Sequence, residues 1–275
     1  ALFRRSENLL PPAVNSRPVQ PIANPVPVTA SYEQLALLSE ALSVGTASLD
    51  LPDTLPMQLP EVPHSQQLTG FTHEYQQPNN CGPATLAIAM RYWGWQGTQA
   101  TIAQVLKPQL RDKNVRWDEL VYYVRTHAGW LDALFRVGGD TGTLERFISN
   151  GFPVIIETGY ELDVGWVGHY LVVSGYDRDA GVFTVQDVTG GPDREVSYEK
   201  TAGLWEQFNR LYILVFPAEK RTEVLRLLGD DEQPDSNRYR AVLRSRAATE
   251  ADAENAFAWF AYGSNLNYFN RHREA

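Results

Sequence analysis

From Ala84 to Tyr92 the chain runs through good helix formers, with Leu86, Ala87, Met90 and Trp93 spaced for one apolar face, and Gly94 closes the segment. The spacing predicts a short helix over 99–110 from Ile102, Val105 and Leu106. A second, over 116–128, sets Trp117, Leu120, Val121 and Val124 on one side. His127 ends that helix, where a cation meets the negative end of the dipole, and reads as a cap or solvated residue. A further helix over 143–150 stops at Gly151. The glycine-rich 137–143 run ahead of it is neither a P-loop nor a GxGxxG, so it reads as a helix entry loop. Phe152–Glu157 is a short apolar strand with its proline at the start, where strands tolerate one. Gly168–Tyr176 is apolar on both alternating faces, which predicts a central strand covered on each side. Asp177-Arg178-Asp179-Ala180-Gly181 then predicts a hairpin into a second strand, Val182–Asp187. Residues 205–216 suit a helix end and a closing strand, with a domain boundary near Pro217.

The flanks differ from this middle. Residues 1–64 carry 10 of the 17 prolines, so this arm is expected to be extended, with one helix after Ser31 along Leu35, Leu38 and Leu42. It reads as a linker, or as a propeptide-like arm that docks through Leu51, Leu55, Met57 and Leu59. From Arg221 the chain turns charged, alanine-rich and helical. Trp259, Tyr262, Gly263, Leu266 and Ala275, and 34 residues earlier Leu225, Leu228, Gly229 and Ala241, with Ala248 at a later position, resemble a tetratricopeptide repeat followed by the first half of another. The expected division is a proline-rich arm over 1–64, a central domain over 65–218 and a helical, tetratricopeptide-like segment over 219–275.

Composition narrows the function. A net charge of −9 without a basic cluster argues against nucleic acid and against an anionic membrane surface. No apolar run reaches the length of a membrane-spanning helix. One cysteine excludes an internal disulfide framework. The chain starts without Met, which fits a mature secreted or cell-surface form, or a trimmed one. No cluster of His, Cys and carboxylates has ligand spacing, so no metal or other cofactor is expected.

That single cysteine, Cys81, falls at or just before the predicted helix start at Ala84. A lone cysteine more often simply packs. Here, however, unpaired N–H groups and the positive dipole end favour the thiolate. Gln76 and Gln77 lie five and four residues upstream, close enough to aim a side-chain amide at the same spot. His169 begins the central strand and Asp187 ends the next. With a three-residue loop over 178–180, Asp177 faces Gly181, His169 faces Thr189, and Asp187 becomes a diagonal neighbour on the histidine's face. A two-residue loop would send Asp187 to the other face. A cysteine at a helix start and a His–Asp hairpin form a complete thiol nucleophile set.

Gln76, then Cys81-Gly82-Pro83-Ala84 and a helix ending Arg91-Tyr92-Trp93-Gly94, resembles the cysteine motif of the C39-like peptidases, papain-like thiol proteases. Gly168-His169-Tyr170-Leu171-Val172-Val173-Ser174-Gly175-Tyr176-Asp177 is similar to that family's histidine strand, and Val182–Asp187 to the strand ending in its acidic member. The resemblance covers about Leu68 to Pro217. It implies an α+β, papain-like fold, with a helical part bearing the cysteine helix and an antiparallel sheet bearing His and Asp. It also implies a thiol peptidase acting on a peptide or protein, with Cys81 as nucleophile, His169 as its partner, Asp187 orienting the imidazole and Gln76 as oxyanion donor. Gln77 is the alternative donor. Asp193 and Asp177 are alternative acids, because Val188 follows Asp187 where the family commonly has proline. The same residues would also serve an acyltransferase or amidase, a latent enzyme held off by the arm, or a non-catalytic peptide-binding module. The helical repeats would bind a protein partner.

Overall fold

The structure is a computed structural model and describes residues 61–109, 112–162 and 165–275. The helix expected after Ser31 and the docking positions Leu51, Leu55, Met57 and Leu59 lie outside the described residues. Among these, seven strands form one sheet, all of whose pairs are antiparallel. They are β1 (Ser65–Gln67), β2 (Leu131–Arg136), β3 (Val154–Leu162), β4 (Gly165–Asp177), β5 (Val182–Asp187), β6 (Gly191–Ser197) and β7 (Tyr212–Pro217). Their order is β2-β7-β3-β4-β5-β6. β1 pairs with β4 from Gly175 to Asp177, on the edge that β3 leaves at Val173.

Each face of the sheet carries its own core. Ile155, Tyr170, Val172, Ile213 and Val215 meet α1 (Cys81–Tyr92), α2 (Gln99–Leu106) and α3 (Trp117–His127) on one side. Val154, Ile156, Leu171, Val173 and Leu214 meet α4 (Thr141–Ser149), α5 (Tyr198–Glu206) and α6 (Arg221–Leu228) on the other. The expectation of a central strand covered on both faces therefore holds for β4. Helix α1 departs from its expected single apolar face, for Gly82 through Met90 are all buried. Its alanines at 84, 87 and 89 admit the sheet on one side and α2 and α3 on the others. Asp140 caps α4, accepting from Thr143 N–H at 2.7 Å, so the 137–143 run is a helix entry as expected.

Strands β1, β2 and β6 were not apparent in the sequence pattern, and of helix α5 only the end was expected. β2 and β6 are the two ends of the strand order. β6, Gly-Pro-Asp-Arg-Glu-Val-Ser, is almost wholly exposed, and an edge strand of that kind has no apolar alternation to read.

Helices α7 (Pro234–Ala251) and α8 (Ala256–Tyr268) form a helical pair within the same compact unit as the sheet. Asn237 extends the edge of β2, accepting from Val137 N–H at 3.1 Å and donating to Val137 O at 2.9 Å. Residues 219–275 are thus helical as expected. Gly229 takes φ +58° and ends α6.

Two hydrogen bonds fix α1 on the sheet. Trp93 Nε1 donates to Val215 O at 2.7 Å, and the buried Thr85 hydroxyl donates to Tyr170 O at 2.9 Å. Thr85→Val keeps the shape and removes the hydroxyl, leaving a buried acceptor short of a partner. It should lower the unfolding free energy by about 1–3 kcal/mol, read from the midpoint of denaturant unfolding.

Candidate active site

The loop ahead of α1 is organised by Gln99, a buried residue at the start of α2. Its Oε1 accepts from Gln77 N–H at 2.7 Å and from Asn80 Nδ2 at 2.8 Å, and its Nε2 donates to Tyr75 O at 2.8 Å. Its backbone N–H donates to Glu74 at 2.9 Å, and Glu74 pairs with Arg91 of α1 at 3.2 Å. Helix α1 begins at Cys81 itself, three residues before Ala84. Asn80 stands at the N-cap position, yet its side chain makes no cap bond because Gln99 holds it. Pro83, the third helical residue, has no N–H to be capped. The Gly82 N–H is therefore left for the Cys81 sulfur.

Register brings His169 and Asp187 together by a route the sequence did not predict. Asp177 pairs with Val182, so four residues, not three, lie between them. Unbroken pairing from there would set Asp187 opposite Val172 and turn it away from His169. A bulge at Ser174 supplies the missing step: pairing shifts between Gly175↔Thr184 and Val173↔Val185, and Val172 meets Gln186. Asp187 then shares a face with His169. The bulge is anchored, since Ser174 Oγ donates to Thr184 O at 3.3 Å and accepts from Gln186 Nε2 at 3.1 Å. Leu68 N–H donates to Ser174 O at 2.8 Å.

His169 Nε2 and Asp187 Oδ1 stand 2.9 Å apart. Asp187 Oδ1 also accepts from Thr189 N–H at 2.9 Å, and Oδ2 accepts from Arg194 Nη1 at 2.8 Å. With Nε2 committed to the carboxylate, Nδ1 is the ring nitrogen left to face Cys81, which lines the same cleft. Tyr160 lies edge-on to the imidazole at 5.9 Å between centroids. Pairing between β4 and β5 stops at Val172↔Gln186, so the edge beside Tyr170 is open, and its backbone N–H also reaches the sulfur. Gln76 lines the same cleft, and its N–H donates to Val188 O at 2.9 Å, tying the glutamine loop to the residue after Asp187. Gln77 is exposed and Gln76 half-buried. Neither alternative acid reaches His169: Asp177 Oδ1 accepts from Ala180 N–H in the β4–β5 turn, and Asp193 accepts from Gln186. Cys81, His169, Asp187 and Gln76 thus line one cleft of about 760 Å³.

The model of the Peptidase_C39 like family matches residues 59–213. The chain belongs to the Peptidase_C39 like family. No curated protein matches it. Among solved structures it is similar to a protein described as a C39-like peptidase from Bacillus anthracis, at 19% identity over 55% of this chain and 97% of that one, with a TM-score of 0.44. It is similar to the peptidase domain of Streptococcus ComA, a bifunctional ABC transporter of a quorum-sensing pathway, at 17% identity over 54% of this chain and 98% of that one, TM-score 0.44. It is also similar to xylellain, a cysteine protease from Xylella fastidiosa, at 11% identity over 57% of this chain and 87% of that one, TM-score 0.45.

The electrostatics of this C39-like site follow from its contacts. Burial alone would push the Cys81 thiol up. Interaction with the His169 ring and with the N–H groups of Tyr170 and Gly82 outweighs it, so the thiol lies below its ordinary value. Burial would likewise lower His169, but Asp187 and Cys81 raise it to about 9. Burial works against ionised Asp187 as well. Its hydrogen bonds to His169, Thr189 and Gly190 prevail and hold the carboxyl well below the usual carboxylate range.

Two residues of the site carry no motif signal, Gln99 and Arg194, and each acts by holding another residue of the site in place. A Cβ at 190 would fall 1.8 Å from Arg194 Nη1, so a side chain there would displace the guanidinium. Glu157, opposite Tyr170 in β3, is a half-buried carboxyl that burial raises to about 7.

Two expectations follow. The raised His169 contributes stability present below its ordinary 6.5 and lost as pH rises through about 9. Depressed Asp187 contributes stability present above 3.8 and lost as pH falls below it, so the pair stabilises most between 3.8 and 6.5. Asp187→Asn should bring His169 from about 9 to 6.5 or lower, read by NMR titration of the ring nitrogens. Glu157 has the opposite sign, costing stability as pH rises from 4.5 through about 7. Glu157→Gln should therefore be more stable than the parent at pH 8, by about 1–3 kcal/mol at 1.36 kcal/mol per unit. The gain should vanish at pH 4, as measured by denaturant unfolding at both values.

Proposed function

We propose that this chain is a cysteine peptidase in which Cys81, His169 and Asp187 form the catalytic triad and Gln76 donates to the oxyanion. The observation that carries the reading is the convergence in one cleft of Cys81, at a helix start, and His169, with a carboxylate 2.9 Å from its Nε2. The Cys81 thiolate attacks the peptide carbonyl carbon, forming a C–S bond and an oxyanion. The Gln76 amide and the Cys81 N–H hold that oxyanion. His169 passes its Nδ1 proton to the leaving amine as the C–N bond breaks, giving a thioester. Water then attacks the thioester while His169 takes its proton, releasing a carboxylic acid and the thiolate. Asp187, fixed by Arg194 and Thr189, holds the tautomer and orientation of the imidazole. The substrate in this reading is a peptide or protein. The exposed Phe257, Trp259 and Phe260 of α8 support a protein-binding role for residues 219–275.

The test is alkylation of Cys81 by iodoacetamide across pH, beside peptide hydrolysis. The apparent thiol pKa should lie well below about 8.5 and rise in His169→Ala, and Cys81→Ala should hydrolyse nothing. Gln76→Ala should lose about 10²–10³ in kcat, far more than it loses in alkylation rate. A slow, unperturbed thiol in both the parent and His169→Ala would reject the reading.

A further inference from the structure

The cleft around Cys81 carries a charge opposite to that of the whole chain. The net charge is −9, yet the charged side chains lining the cleft, His169 apart, are Lys113, Arg194, Lys200 and Asp187. Asp187 is spent, because His169, Thr189 and Arg194 already occupy its oxygens. The three cations come from separate parts of the fold. Lys113 lies in the connection from α2 to α3, on the side of the cysteine helix, whereas Arg194 and Lys200 lie in β6 and α5, on the side of the histidine strand. Lys113 and Lys200 are exposed and make no ion pair with any described residue. Arg194 directs one nitrogen to Asp187 and leaves its side chain 46% exposed. A surface acidic elsewhere and cationic here is selective, since like charges lining a binding site disfavour a cationic ligand as strongly as they favour an anionic one.

From this we infer that the cleft selects acidic peptides, with Asp or Glu side chains near the scissile bond facing Lys113 and Lys200. The inference rests on the peptidase reading for what becomes of the peptide, but not for its binding. Each exposed pair contributes modestly, and such contributions fall with salt. Two lysines turned into two glutamates change four charge units at the cleft, enough for an effect of about tenfold.

The first test needs no known substrate. Cys81 of the full chain is alkylated with anionic iodoacetate and with neutral iodoacetamide, in the parent and in K113E/K200E, with K113Q/K200Q as the milder variant. The iodoacetate-to-iodoacetamide rate ratio should fall about tenfold in K113E/K200E and by a smaller factor in K113Q/K200Q, and the difference should shrink at 0.5 M salt. In Cys81→Ala, a fluorescent decapeptide of Glu, Gly and Ala should bind about tenfold more tightly than its Lys counterpart, and K113E/K200E should erase that order. An unchanged rate ratio in both lysine variants would overturn the inference, as would equal or tighter binding of the Lys peptide. A parent thiol that is slow toward both reagents would instead reject the peptidase reading, and the binding comparison in Cys81→Ala would then decide the charge preference by itself.

Discussion

The site depends first on how one helix is seated on one strand. Thr85, a turn along α1 from Cys81, donates to the carbonyl of Tyr170, the residue after His169. Cysteine and histidine are 88 residues apart in sequence (169 minus 81), and this bond fixes the helix that bears one against the strand that bears the other. Gly82 and the alanines at 84, 87 and 89 let the helix's neighbours approach closely. The strand can offer its N–H to the sulfur because β5 has already left its edge at Val172. Desolvation opposes charge on both Cys81 and His169. Their nearness to one another, backbone N–H groups at the sulfur and the Asp187 carboxylate at the ring all work against that cost.

Asp187 shows the same economy at the other end. A carboxylate with one arginine, two backbone N–H groups and an imidazole about it stays ionised despite burial. Its place is set by counting residues in two strands. The bulge at Ser174 supplies the residue that puts the carboxylate on the correct face, and the Gln186–Ser174 hydrogen bond binds that bulge to the strand that carries Asp187. Gln186 also holds Asp193, which keeps the nearest competing carboxylate turned to the β5–β6 connection and away from the imidazole.

Much of this was legible in the sequence, and the limits of legibility have physical causes. Helix α1, strands β4 and β5 and the closing strand β7 carry strong apolar patterns because they are interior. Cys81, His169, Asp187 and Gln76 stand out because thiol chemistry needs those groups, and the fold brings all four to one cleft. The register was expected correctly at His169 and Asp187 for an incorrect reason: a longer turn and a bulge cancel, and sequence shows neither. Strand β6 was missed because an exposed edge strand keeps no alternation. Gln99 was missed because a glutamine opening a helix looks like any polar residue until the loop it holds has folded around it.

The C-terminal helices look like an appendage in sequence, but they brace the turn that follows one end of the cleft. Trp166 and Gly168 line that end. Behind them Gln207 accepts from Trp166 Nε1 at 2.6 Å, and Phe208 stacks on Trp166 with 5.0 Å between centroids. A Cβ would fall 2.1 Å from the Gln207 amide oxygen at 159 and 2.7 Å from the Phe208 ring at 168, so a side chain at either place would displace that packing. The chain then turns back through two left-handed residues, Asn209 and Arg210, at φ +53° and +49°. Such a turn is held only if its neighbours fix it. Asn209 and Asn265 of α8 exchange buried amide hydrogen bonds at 2.7 and 3.2 Å, and Arg238 of α7 donates to the same Asn265 oxygen at 3.0 Å. Asn209 and Arg210 carbonyls accept from Gly138 and Gly139 N–H, which explains the glycines ahead of α4: a Cβ at 139 would lie 2.5 Å from the Trp205 ring. The wall beside His169 therefore stands on residues contributed by α7 and α8, and its position is inseparable from theirs.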